Sequence, residues 1–133
     1  MARLEWVLAC EMAFFDRLNR LCVIGVAQRF PVPGLPVALN QLTLVAKIVG
    51  ISAVDQVEIA IDVRAPSGLW TTPSDSDGVS IEMSGEYVLV TLRGLPLIEE
   101  GRHRFDVRLQ DQAPLSVSIP VLVAGSSVHA EVH

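Results

Sequence analysis

The sequence is short of cysteine, of charge and of aromatic rings, and each shortage excludes something. Two cysteines in 133 residues cannot build the disulfide framework of a small secreted domain. Cys10 and Cys22 lie too far apart for a CxxC motif, and with only three histidines in the chain no zinc site is expected. Charged residues make up 19% and hydrophobic ones 50%, the reverse of a disordered chain. Basic residues are the scarcer sign, 10 against 15 acidic ones for a net charge of −5, which argues against a broad nucleic-acid-binding face. No uncharged apolar run approaches the roughly 18 residues of a membrane helix. Val7-Leu8-Ala9-Cys10 looks superficially like a lipoprotein cleavage box. Only Arg3 precedes it as a basic residue, and Glu5 interrupts the apolar run, so it does not read as a signal peptide. The expectation is a cytoplasmic chain, its thiols reduced and buried, with neither membrane nor nucleic acid as partner.

Catalytic motifs are missing as well. There is no GxSxG elbow, no P-loop and no glycine-rich phosphate cradle. Adjacent Glu99 and Glu100 would point to opposite faces of a strand. His103 begins an alternating stripe beside Phe105 and reads as a sheet-end histidine. His129 and His133 fall in a tail of the kind where order is poor. Asp75-Ser76-Asp77-Gly78 has the two spaced carboxylates and glycine of a calcium loop, but Ser84 stands where such a loop needs its glutamate. Asx-turn chemistry explains the same residues without an ion. No enzyme activity, cofactor or metal is expected.

What is present is a period of two. Val57, Ile59, Ile61 and Val63 alternate with Glu58, Ala60, Asp62 and Arg64, and His103, Phe105, Val107 and Leu109 alternate with Arg102, Arg104, Asp106 and Arg108. Leu115, Val117, Ile119, Val121 and Val123 form a third stripe. Such runs are strands with one buried and one wet face. Pro120 inside the last run points to an edge strand or a bulge. The runs at 4–14, 21–27, 42–46 and 88–92 are apolar on both faces. Good helix formers make 4–15 readable as a helix, but the β-branched run after the polar turn at Asp16 to Arg20 favours a hairpin of 3–14 with 20–29. Further strands are expected at 38–49, 54–65, 79–84, 86–93, 102–110 and 115–124. The proline-rich stretch 31–36 reads as a stiff connection. Together these predict one all-β domain over residues 1–124, an antiparallel β-sandwich of seven to eight strands, immunoglobulin-like or a related Greek key, with a tail at 125–133.

Several of these segments together resemble an uncharacterised family of small single-domain bacterial proteins. They are Leu8-Ala9-Cys10-Glu11 with Asp16, Leu21 to Val26, Leu42-Thr43-Leu44-Val45-Ala46, Leu92-Arg93-Gly94-Leu95-Pro96, Gly101 to Phe105 and Ile119-Pro120-Val121. The resemblance spans most of residues 4–124. It departs from the family pattern at Val26 to Phe30, where an aromatic usually follows Ile-Gly, and at the loop 66–78. It implies a fold and no catalytic residue.

Binding is then the functional expectation: a non-enzymatic binding or protein-interaction module, such as an assembly component. Strands apolar on both faces need cover, and the candidates are the loops 31–36 and 66–78 or a second copy. A two-fold dimer with outer-face residues such as Val7, Ala9 or Val45 at or near the contact is predicted, and exposed edge strands offer the alternative geometry, with sheets continuing across the axis. The alternative is a small carbohydrate- or ligand-binding sandwich using the loop 66–78. There Trp70 stands near Asp75 and Asp77 and either stacks on a ligand or folds back as a lid over the open end of the sandwich.

Overall fold

Alternating side chains leave each backbone run extended, and the alternating runs pair in two layers. A computed structural model describes residues 2–50, 58–73, 78–110 and 112–124. Among them the strands are β1 (Arg3–Phe15), β2 (Leu21–Val26), β3 (Phe30–Val32), β4 (Val37–Leu39), β5 (Leu42–Val49) and β6 (Ile59–Arg64). These are followed by β7 (Trp70–Thr71), β8 (Val79–Ser84), β9 (Tyr87–Leu92), β10 (Leu95–Leu97), β11 (Gly101–Leu109) and β12 (Leu115–Val123). One sheet has the order β2-β1-β5-β9-β8, the other β3-β12-β11-β6-β7, and β4 pairs with β10. Within them β1-β5-β9-β8 and β12-β11-β6 reproduce the ABED and GFC orders of an immunoglobulin-like sandwich. The fold is therefore an all-β, immunoglobulin-like sandwich. No helix among the described residues is long and apolar enough to cross a membrane.

Each of the eight expected strands has a counterpart, but the expected 38–49 is split into β4 and β5, and three short strands, β3, β7 and β10, are added. Phe30-Pro31-Val32 forms β3 inside the stretch expected to be a stiff connection, and it runs parallel to β12. The sandwich is thus antiparallel except at this pair. Proline is admitted because β3 lies at the sheet edge. Trp70 and Thr71, expected in a loop, pair with Arg64 and Val63 as β7. The start of the expected strand 54–65 lies outside the described residues up to 57.

The core lies between the sheets. Leu42, Leu44 and Ile48 of β5 and Val88, Val90 and Leu92 of β9 belong to one buried cluster with Ile61, Val63, Phe105, Val107, Leu109, Ile119 and Val121 of the second sheet. The wet-faced stripes of β6, β11 and β12 all turn their apolar side inward, as alternation requires. Burial of each such side chain contributes roughly 1.5–3 kcal/mol.

Candidate functional site

The outer face of the first sheet is apolar, and the chain covers much of it with its own arm. β1 is 13 residues long and pairs with β5 only from Arg3 to Cys10. Beyond that point it pairs with β2 alone, through Met12–Ile24, Ala13–Val23, Phe14–Cys22 and Phe15–Leu21. The turn closing this hairpin is held by Asp16, whose carboxylate accepts from the Leu18 and Arg20 amides at 2.9 Å and from Arg20 Nε at 2.8 Å. These bonds hold its carboxyl below the usual aspartate range. Gly25 takes φ +69° next to Glu11, whose side chain lies 3.0 Å from where a Cβ would stand. Only glycine adopts that φ without strain.

Ala13, Phe15, Leu21 and Val23 of the arm pack, with Trp6 and Leu8, against a second cluster of Cys10, Val45 and Leu89. This corrects the expected dimer contact in two ways. Val7 and Ala9 belong with the inner core cluster, because the register shifts between Leu4 and Trp6 and sends the Trp6-Leu8-Cys10 side outward. Val45 is fully buried in the cluster the arm packs on. The cover is neither of the expected loops.

The arm's other face has no cover among the described residues. Met12, Phe14, Ile24 and Val26 are 40–60% exposed and Leu18 at the tip 72%. These are five of the ten exposed large hydrophobics among the described residues, so exposure is concentrated here rather than scattered.

The second sheet has an outer face of the opposite character. Trp70, 46% exposed, neither closes the sandwich nor projects freely. Its ring lies 5.5 Å from the guanidinium carbon of Arg64 and 5.2 Å from that of Arg104. Arg104 in turn grips Asp106 with two bonds, Nε to Oδ1 at 2.9 Å and Nη2 to Oδ2 at 3.0 Å, and the Ser116 hydroxyl donates to Oδ1 at 2.6 Å. Burial pushes the Asp106 carboxyl up. The bonds from Arg104 and Ser116 and the charges of Arg104 and Arg64 outweigh it and hold the group below its ordinary value. Thr72 donates to Asp62 at 2.7 Å.

Asp75 and Asp77 lie outside the described residues, as do His129 and His133. His103 is buried, with Nδ1 3.1 Å from the Gly101 carbonyl oxygen. Glu99 and Glu100 take separate structural tasks, accepting from the Ser67 amide at 2.8 Å and the Val123 amide at 3.0 Å. Cys10 is buried, and desolvation, helped by the Glu11 charge, pushes its thiol up to about 11. Cys22, expected to be buried, is only half-buried on the arm. No group of three metal-ligating side chains occurs among the described residues. Sequence reasoning named Trp70 but missed its arginine partners, and it missed the exposed face of the arm. The expected strands 3–14 and 38–49 are equally long, so only the structure shows that β1 outruns β5.

A family model matches residues 5–122, nearly the whole sandwich. The chain belongs to DUF6941, a family of unknown function. No curated protein matches it. Among solved structures, this DUF6941 chain is similar to the M1 domain from titin, at 16% identity and a TM-score of 0.34, over 65% of this chain and 80% of that one. It is also similar to the Ig1 domain of mouse SynCAM 2, at 11% identity and a TM-score of 0.32, over 74% and 92%.

Proposed function

We propose that this DUF6941 domain is a non-catalytic protein-interaction module of the cytoplasm that self-associates through the edge of its β1–β2 arm. One observation carries the reading. Natural sheet edges are guarded by short length, proline or charge. Of the four edge strands of the two sheets among the described residues, β3 is three residues long and contains Pro31, β7 is two residues long, and β8 contains Glu82. β2, Leu-Cys-Val-Ile-Gly-Val, has six residues with neither charge nor proline. Its Ile24 and Val26 are exposed. An edge of this kind is complementary to itself: a two-fold axis lays one β2 antiparallel to its copy and joins the exposed faces of two arms. The net charge of −5 opposes this only weakly. Both cysteines are free, which supports a reducing compartment.

The carbohydrate-binding reading of the loop 66–78 has less support, because the Trp70 ring that would stack on a sugar already lies against two guanidiniums. Ile24→Lys tests the self-association reading. The wild-type chain is expected to sediment at twice its 14.4 kDa mass at tens of micromolar. The variant should dissociate at least about 30-fold more readily, the equivalent of ~2 kcal/mol, with an unchanged circular dichroism spectrum. A wild-type chain that stays at 14.4 kDa overturns the dimer.

A further inference from the structure

The outer face of the second sheet pairs two like charges across neighbouring strands. Arg64 and Arg104 stand directly opposite each other in the β6–β11 register, and like charges in that position repel. Trp70 extends the same row onto β7, opposite Arg64, with its ring against both guanidiniums. Arg104 spends Nε and Nη2 on Asp106. Neither its Nη1 nor Arg64 makes a hydrogen bond or ion pair among the described residues. By strand alternation Arg102 and Arg108 share this face, and Arg108 reaches Asp62 at 3.7 Å. Four arginines thus share this face with three carboxylates, Asp62, Asp106 and, at its far end, Glu58, for a local charge of +1 on a chain of net charge −5.

We infer that Arg64 and the Nη1 edge of Arg104, paired across the β6–β11 register and each held against the Trp70 ring, form a docking site for a carboxylate of an acidic polypeptide segment. Two arginines directly opposite each other on neighbouring strands, whose backbones lie about 5 Å apart, suit one carboxylate, which accepts from both at once. The adjacent row decides the class of ligand. Asp62 and Asp106 are also directly opposite each other, about 7 Å along the strands from the arginine row. A dense polyanion such as a nucleic acid or sulfated glycan would lay charge over both rows and meet these carboxylates. A polypeptide can set an acidic side chain on the arginine row and a neutral one on the next. The site is separate from the β2 edge and does not depend on self-association.

The test is a calorimetric titration of the full chain with blocked hexaglutamate at low salt, beside the same titration of Arg64→Gln and of Arg93→Gln, a surface change in another strand connection. The wild type and Arg93→Gln should bind saturably. Arg64→Gln should bind at least tenfold more weakly at an unchanged melting temperature, and raised salt should weaken all three. Failure of the wild type to bind, or equal binding by Arg64→Gln, overturns the inference. Tighter binding of a heparin oligosaccharide than of hexaglutamate overturns the assignment to a polypeptide carboxylate.

Discussion

Truncation of Phe105 to alanine is expected to cost about 3–5 kcal/mol, a typical loss for a large core aromatic. Phe105 is 1% exposed and heads the fully buried side chains by volume. It sits on β11, which is paired on both sides, to Val63 of β6 and to Val117 of β12. The flanking strands are thus held by their own ladders and cannot close on the space left behind, so the cavity cost adds to the lost transfer energy. Against a domain stability of about 5–15 kcal/mol, this is the difference between a folded and a marginal protein. Phe14→Ala is the matched control. Phe14 is 40% exposed on the arm, and its truncation in the monomer should cost less than about 1 kcal/mol. Urea midpoints at constant slope compare the two. Equal losses would mean that the inner face of β11 is wrongly assigned.

Asp106→Asn should cost about 1–3 kcal/mol at neutral pH, because it removes the charge from a carboxylate that accepts two bonds from Arg104 and one from Ser116. The pH dependence carries the sharper signature. The folded-state carboxyl is held below its ordinary value. Its contribution is therefore fully present above the unfolded aspartate value, near 3.9, and is lost as pH falls through the lower folded value. The gap between wild type and Asp106→Asn should be constant from neutral pH down to about 5 and should close on further acidification. A gap that widens in acid would place the sign of the shift the other way.

The two layers differed in what their sequence revealed. In β6, β11 and β12 one face is wet, so alternation alone assigned Ile61, Val63, Phe105, Val107, Ile119 and Val121 to the core, where they lie. In β1, β5 and β9 both faces are apolar, and a period of two says nothing about which side is inside. Val7 and Ala9 were assigned outward for that reason, and the shift in register between Leu4 and Trp6 left no mark in the residue pattern. The wet stripe also hid an exception. Asp106 alternates with arginines like a surface residue, yet it is 5% exposed, because Arg104 and Ser116 close over it. Trp70 was legible as an unusual loop aromatic. Its partners were not: Arg64 is near in sequence, but Arg104 joins the row only through the β6–β11 register. The unguarded edge of β2 required the sheet order, which decides that β2, and not β1, faces solvent.

Amide hydrogen exchange across β2, followed at rising protein concentration, tests the arm-mediated association most directly. Pairing of two β2 edges places the outward amides of Leu21 to Val26 in a new ladder. Their exchange should slow at least tenfold between about 1 and 100 micromolar protein, while the edge amides of β8 keep their rates. Exchange in β2 that is independent of concentration, or protection that grows at β8 instead, would contradict it.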